Sequence, residues 1–132
     1  QYNNADVQAW SDKIDALDGY IFITPEYNKP ITSALKNNID HIGPEFAHKS
    51  AAIVGYGSTL GIAAINSLRG ILANFRLATI TPHGAFNYFT DFVDMKDFQP
   101  ADVHTPTVHA VIDEVVAWGW GMQDVRENHL NK

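Results

Sequence analysis

Two loops carry the groups best suited to hold a ligand. In Thr24-Pro25-Glu26-Tyr27-Asn28 the proline stiffens the exit from an apolar run. Tyr27 offers a broad aromatic face, and Asn28 offers donors and an acceptor suited to the edge of a flat heteroaromatic ring. A plain turn, with Tyr27 packed on the next helix and Asn28 shaping the backbone, uses the same residues. The second loop is Gly55-Tyr56-Gly57-Ser58-Thr59-Leu60-Gly61. Its glycines free the backbone, so that amide N–H groups and the start of a helix at Ile62 can point toward a ligand acceptor. It lacks the G-x-x-x-x-G-K-[ST] pattern of an ATP-type phosphate site. Ser58 is not the serine of a G-x-S-x-G elbow and has no acid and histidine in a triad order, so it is read as a ligand-facing hydroxyl or a helix cap. The six histidines, His41, His48, His83, His104, His109 and His129, show no H-x-x-x-H or H-E-x-x-H spacing, and only His83 is placed at the carboxyl end of an expected strand. No catalytic side chain and no metal set is assigned.

The elements that position these loops follow from apolar spacing. Val7, Trp10, Ile14 and Leu17 share one helical face ending near Asp18-Gly19, where glycine suits a C-terminal cap. Tyr20-Ile21-Phe22-Ile23 is a continuous apolar run, the pattern of a strand covered on both faces. Ile31, Ala34, Leu35, Ile39 and Ile42 form the next stripe, begun by Pro30 and stopped by Gly43-Pro44. Ala51-Ala52-Ile53-Val54 is a second strand, and Ile62, Ile65, Leu68, Ile71, Leu72 and Phe75 a third helix. A third strand is expected over residues 77–81, closing at Pro82-His83-Gly84, and residues 86–105 read as a surface excursion. Thr105-Pro106 is expected to cap a last helix that buries Val108, Val111, Ile112, Val115 and Trp118. Trp118 and Trp120, two residues apart, cannot share a face. Either one is core, or both are partly buried surface aromatics.

Alternating helices and strands build a parallel sheet wrapped by helices, the α/β class. Ligands then sit beyond the carboxyl ends of the strands, where both loops lie. With 132 residues and 45% hydrophobic composition the chain supports one domain. A net charge of -6 opposes a nucleic-acid partner, which needs a basic face. The absence of cysteine removes disulfides and thiolate sites, a reducing compartment is consistent with it, and a cytoplasmic address is expected. No apolar run reaches the roughly 20 residues of a membrane span. Three strands are few, and the apolar run at residues 20–23 is hazardous at an open edge. In the doubly wound, three-layer flavodoxin-like order 2-1-3-4-5 these strands are the third, fourth and fifth. The first two, with the phosphate-holding loop, are therefore expected upstream of Gln1 or from a partner chain.

The pairing of Thr24-Pro25-Glu26-Tyr27-Asn28 with Leu35-Lys36-Asn37-Asn38-Ile39-Asp40 resembles the T-P-E-Y-N and L-K-N-x-I-D signature of the NAD(P)H-dependent FMN reductases and their quinone, azo-compound and chromate reductase relatives. Leu68-Arg69-Gly70-Ile71-Leu72 resembles that family's L-R-x-I-L helix, and the likeness spans residues 5–82. It implies a C-terminal two-thirds of a flavodoxin-like domain that binds FMN, with NADPH or NADH as co-substrate and a flavin, quinone or azo compound as acceptor. Pro25, Glu26, Tyr27 and Asn28 are implied along the ring's reactive side, and Gly57, Ser58, Thr59, Leu60 and Gly61 along its pyrimidine edge. Consecutive glycines followed by an arginine are usual for the family here, whereas this chain has Leu60 before Gly61. A homodimer or homotetramer is also implied. A flavodoxin-type electron carrier and a flavin-free interaction domain of the same fold are the alternatives.

Overall fold

The computed structural model describes residues 1–130. Helix α1 (Ala5–Asp15) starts at Asn4, whose side-chain oxygen accepts from the Asp6 and Val7 amides, the usual service of an N-cap. It stops four residues before Gly19. That glycine opens strand β1 (Gly19–Pro25) and does not cap the helix. A Cβ there would stand 2.5 Å from Ser50 Oγ, so close approach between strands, not a left-handed turn, calls for glycine.

Thr32 caps α2 (Ser33–Asp40) through the Leu35 amide, and β2 (Ser50–Gly57) pairs in parallel with β1 over its whole length. Helix α3 (Ile62–Asn74) follows. The third strand position is filled in two pieces, β3 (Ala78–Thr79) against the start of β2 and β4 (Gly84–Asn87) against its end. The third strand position thus extends to Asn87, and Phe86 and Asn87 belong to the sheet, not to the excursion. Pro82 cannot continue the ladder. Where it breaks, the Arg69 guanidinium donates to the Ile80 and Thr81 carbonyls at 2.7 and 3.0 Å, which gives the arginine of L-R-G-I-L a structural task. His83 sits in this break beside Arg69 and the Thr81 carbonyl, and not at the strand's carboxyl end.

Helices α1 to α3 cover one face of the sheet over a core of Tyr20, Phe22, Phe46, Ile53, Ile65, Leu68 and Leu72. Helix α4 (Thr105–Asp124) covers the other through Val111 and Val115 on Ala52 and Ile80. Thr105 is the first residue inside this helix and makes no side-chain cap; a short 3-10 turn, Asp102–His104, leads into it. The buried stripe is Val111, Val115 and Gly119, because Gly119 lets the helix approach Ser50. Trp118 and Trp120 are 46% and 76% exposed, so neither is a core residue.

Strand β1 differs most from expectation. Tyr20 and Phe22 are buried, but Ile21 and Ile23 are 45% and 65% exposed, and no described strand pairs with the outer edge of β1. The excursion is less open than expected. Its small hairpin, β5 (Phe92–Val93) and β6 (Asp97–Phe98), folds back, and Phe86 packs edge-on against Phe98 at 5.0 Å. Asp91, buried, holds it there by accepting from the Asn87 amide at 2.7 Å and from His104 at 2.8 Å. Burial works against this charge, but those two donors outweigh it and keep the carboxyl below its ordinary range.

Candidate functional site

Parallel pairing brings the two candidate loops out at one end of the sheet. Pro25 lies opposite Tyr56, and the Glu26 amide adds one more rung by donating to the Tyr56 carbonyl at 3.0 Å. The first loop then turns back, with the Tyr27 amide donating to the Pro30 carbonyl at 3.1 Å. Asn28 and Lys29 take left-handed φ values of 51° and 81°, which asparagine tolerates and which costs lysine about 1–2 kcal/mol. The turn throws Tyr27 outward, 60% exposed, with Asn28 exposed beside it. Both border an open cleft of about 490 Å³ whose floor includes Ile31 and Lys36 on one side and Ser67 and Ile71 of α3 on the other. The plain-turn reading is therefore half met: the Asn28 backbone shapes the turn, but Tyr27 leaves most of its ring to solvent.

The second loop is shorter than its glycines suggested. Gly55 and Gly57 lie inside β2, and only residues 58–61 form the connection, closed by the Leu60 amide on the Gly57 carbonyl at 3.3 Å. Leu60 and Gly61 both take left-handed φ, 64° and 67°. A Cβ on Gly61 would meet the Tyr56 amide nitrogen at 2.5 Å, and one on Gly55 would meet Ile65 Cγ1 at 2.8 Å. These two contacts let the first turn of α3 lie directly on β2. Among the described residues no acceptor faces the Ser58 and Thr59 amides.

The sequence suggested that the start of α3 is open to a ligand, but its first-turn amides at Ala63 and Ala64 are engaged by Glu26. Glu26 Oε2 accepts from the Ala63 amide at 3.0 Å and the Ala64 amide at 3.4 Å, and Glu26 Oε1 accepts from the Thr59 hydroxyl at 3.2 Å. Pro25, Glu26 and residues 57–61 are thus brought together. Tyr27 and Asn28 stand apart, across the turn.

Two neighbours were not legible as site residues. Asn87 donates through Nδ2 to the Ser58 carbonyl at 3.3 Å, and the Tyr88 amide donates to the Gly57 carbonyl at 3.2 Å. The available signal was a polar residue at a strand's carboxyl end, hidden because the third strand was ended at residue 81. Tyr88 also packs edge-on against Tyr56 with centroids 5.7 Å apart. Burial, and then the nearby Tyr88 and Tyr27 hydroxyls, raise the Tyr56 phenol above its ordinary range, so it is a neutral donor at physiological pH. No group of three or more His, Asp or Glu side chains gathers as a metal site among the described residues.

The model of the NADPH-dependent FMN reductase family matches residues 1–91, with both loops inside the match. The chain belongs to that family. It is 35% identical over 81 residues to an NAD(P)H-dependent FMN reductase of Schizosaccharomyces pombe, covering 61% of this chain and 40% of that protein. To the NADPH azoreductase of a Bacillus species it is 32% identical over 108 residues, covering 80% of this chain and 58% of that one. A solved flavoenzyme NAD(P)H:(acceptor) oxidoreductase from Paracoccus denitrificans shares the fold at a TM-score of 0.67 and 21% identity, over 92% of this chain and 70% of that one. The flavodoxin-like class is thereby established, and the chain spans about half the length of the curated relatives it matches.

Proposed function

We propose that the intact protein holds FMN between the Tyr27–Asn28 turn and residues 57–61, and carries reducing equivalents from NADPH or NADH to a small acceptor such as free flavin, a quinone or an azo compound. The observation that carries this reading is the family match across residues 1–91, which includes both loops. The residues present suit the cofactor. Tyr27 offers an uncovered aromatic face, Asn28 an exposed amide, and the Ser58 and Thr59 amides lack acceptors among the described residues.

When bound, FMN supplies the hydride relay between nicotinamide and acceptor. The chain's own work is positioning and electrostatics. With FMN bound, Asn28 would donate to or accept from the ring edge, Tyr27 would shield a ring face from water, and the Ser58 and Thr59 N–H groups would be the donors available to a ring carbonyl oxygen. Tyr56 and Tyr88 stiffen the floor behind the second loop.

The same reading takes the chain as the C-terminal two-thirds of one flavodoxin-like domain. The open edge of β1 and the exposed Ile21 and Ile23 beside α4 are suited to a further strand and helix. Hydrogen exchange of the β1 amides in the intact protein tests this: slow exchange supports it, and exchange as fast as in an exposed strand overturns it. A homodimer or homotetramer is favoured by the exposed Trp118, Trp120 and Phe89. Phe86, Tyr88 and Phe92, in the same part of the chain as Phe89, are at least partly buried and do not add to that surface. A cytoplasmic location fits a family of this kind, and no described helix is long and apolar enough to cross a membrane.

Steady-state NADPH or NADH oxidation by the intact protein, with FMN and a quinone or azo acceptor, tests the activity. Turnover with bound flavin is expected. Bound flavin without nicotinamide oxidation indicates an electron carrier instead, and no bound flavin indicates an interaction domain.

A further inference from the structure

We infer that Glu26 is a positioning residue, a carboxylate clamp that ties the turn after β1 to the first turn of α3 and fixes the spacing of the two loops. The inference rests on the FMN-binding reading given above. In the family signature this glutamate sits between the proline and the tyrosine and reads as one more ligand contact. Its side chain is instead engaged within the protein.

The backbone fixes where the carboxylate starts. The Glu26 amide is held by the Tyr56 carbonyl at 3.0 Å, so its Cα cannot drift from β2. The side chain then passes Gly57, where an added Cβ would already lie 3.5 Å from Glu26 Cβ. It ends on three donors, the Ala63 and Ala64 amides and the Thr59 hydroxyl. Two of these are among the first four N–H groups of α3, which have no partner within their helix. One is the hydroxyl of the second loop itself.

A carboxylate on the first turn of a 13-residue helix also offsets the positive end of its dipole. Two consequences follow for the site. The two loops are joined by a charge-assisted contact, and a ligand's phosphate is denied the start of α3, since the negative group there is already supplied by the chain. Tyr27 follows Glu26 directly, so the angle at which it leaves the sheet is set from behind by the same contact.

The test uses the intact protein and the variants Glu26→Ala, which removes the clamp, and Glu26→Gln, which keeps an acceptor oxygen of the same reach without the charge. Hydrogen exchange of the Ala63 and Ala64 amides in flavin-free protein reads the clamp without reference to flavin. Exchange is expected to rise about tenfold or more in Glu26→Ala, and less in Glu26→Gln, as one strong hydrogen bond is lost or weakened. Binding is then read with FMN and with riboflavin, which lacks the phosphate. Both are expected to weaken by the same factor, about tenfold in Glu26→Ala, with at least half of the loss on a logarithmic scale recovered in Glu26→Gln.

Unchanged amide exchange in both variants overturns the inference. So does a loss confined to FMN with riboflavin unaffected, which would make Glu26 a determinant of phosphate binding. If Glu26→Ala does not fold, the Gln variant alone decides through the same two readouts. A wild-type protein that binds neither flavin overturns the proposed function, and the exchange measurement still decides the clamp.

Discussion

Gly61 is the position where one added carbon does most damage, and Gly70, nine residues away in α3, is its control. Gly61 holds φ at 67°, and a Cβ there would lie 2.5 Å from the Tyr56 nitrogen, 2.7 Å from the Gly55 carbonyl carbon and 2.9 Å from Gly55 Cα. All three are backbone atoms of β2, which is paired on both sides, so none can yield cheaply. Gly61→Ala therefore incurs a left-handed penalty of about 1–2 kcal/mol and an overpacking cost of about 1–3 kcal/mol as α3 is pushed from the sheet. The sum is about 3 kcal/mol of lost stability, and the Glu26 contacts to Ala63 and Ala64 loosen with it. At Gly70 a Cβ meets nothing within 4 Å, and the residue is an exposed interior position of a helix. Gly70→Ala is expected to gain about 1 kcal/mol from helix propensity. Urea unfolding of the two variants beside wild type, compared at equal m-value, measures the difference of about 4 kcal/mol. Equal midpoints for the two variants, or a Gly61→Ala protein as stable as wild type, would refute the close approach of α3 to β2.

Glu45 makes stability pH-dependent at the acid end. Burial disfavours its charge, but donors at Ser11 (2.6 Å), Gly43 (2.9 Å) and Tyr2 (3.0 Å) prevail and lower it from 4.5 to about 2. A depressed carboxylate contributes its stability above 4.5 and loses it as pH falls toward about 2. Glu45→Gln should thus cost about 2 kcal/mol near neutrality, after allowance for partial solvent screening, and should flatten the acid limb of a stability-against-pH curve. Leu60 holds a left-handed φ of 64°; Leu60→Gly is expected to leave stability unchanged or raise it by up to ~1 kcal/mol in chemical denaturation. Arg69→Met leaves the Ile80 and Thr81 carbonyls without their donor and should lower stability by about 1–3 kcal/mol, with amide exchange rising across residues 78–84.

Strands β1 and β2 were legible because continuous apolar runs between helical stripes leave few other readings. Which face of β1 is covered was not, since Tyr20 to Ile23 are all apolar and only the neighbours decide that Ile21 and Ile23 stay open. Strand β4 was missed because Gly84-Ala85-Phe86-Asn87 has no β-branched residue and follows a proline; it forms because β2 extends three residues past Val54 and offers an unpaired edge. In α4 the periodicity favoured Trp118, yet Gly119 is buried, because a small residue lets the helix touch Ser50 where a large one cannot. The two site loops were legible by residue type and by their place after strands. The role of Glu26 was not, because its partners lie up to 38 residues away and only the fold brings them together.

The central claim is that Tyr27 and Asn28 act on bound FMN and do not merely shape a turn. Titration of the flavin-free intact protein with FMN, followed by flavin fluorescence, for wild type, Asn28→Ala and Tyr27→Ala, with melting curves of the same flavin-free samples, tests it directly. Saturable binding is expected for wild type. Asn28→Ala should lose about 1 kcal/mol of affinity, the worth of one hydrogen bond, and Tyr27→Ala somewhat more as an aromatic contact goes and water enters. Both variants should melt with wild type, since both side chains are exposed. Variants that melt earlier while binding FMN as tightly as wild type, or a wild type that does not bind FMN, would contradict the account.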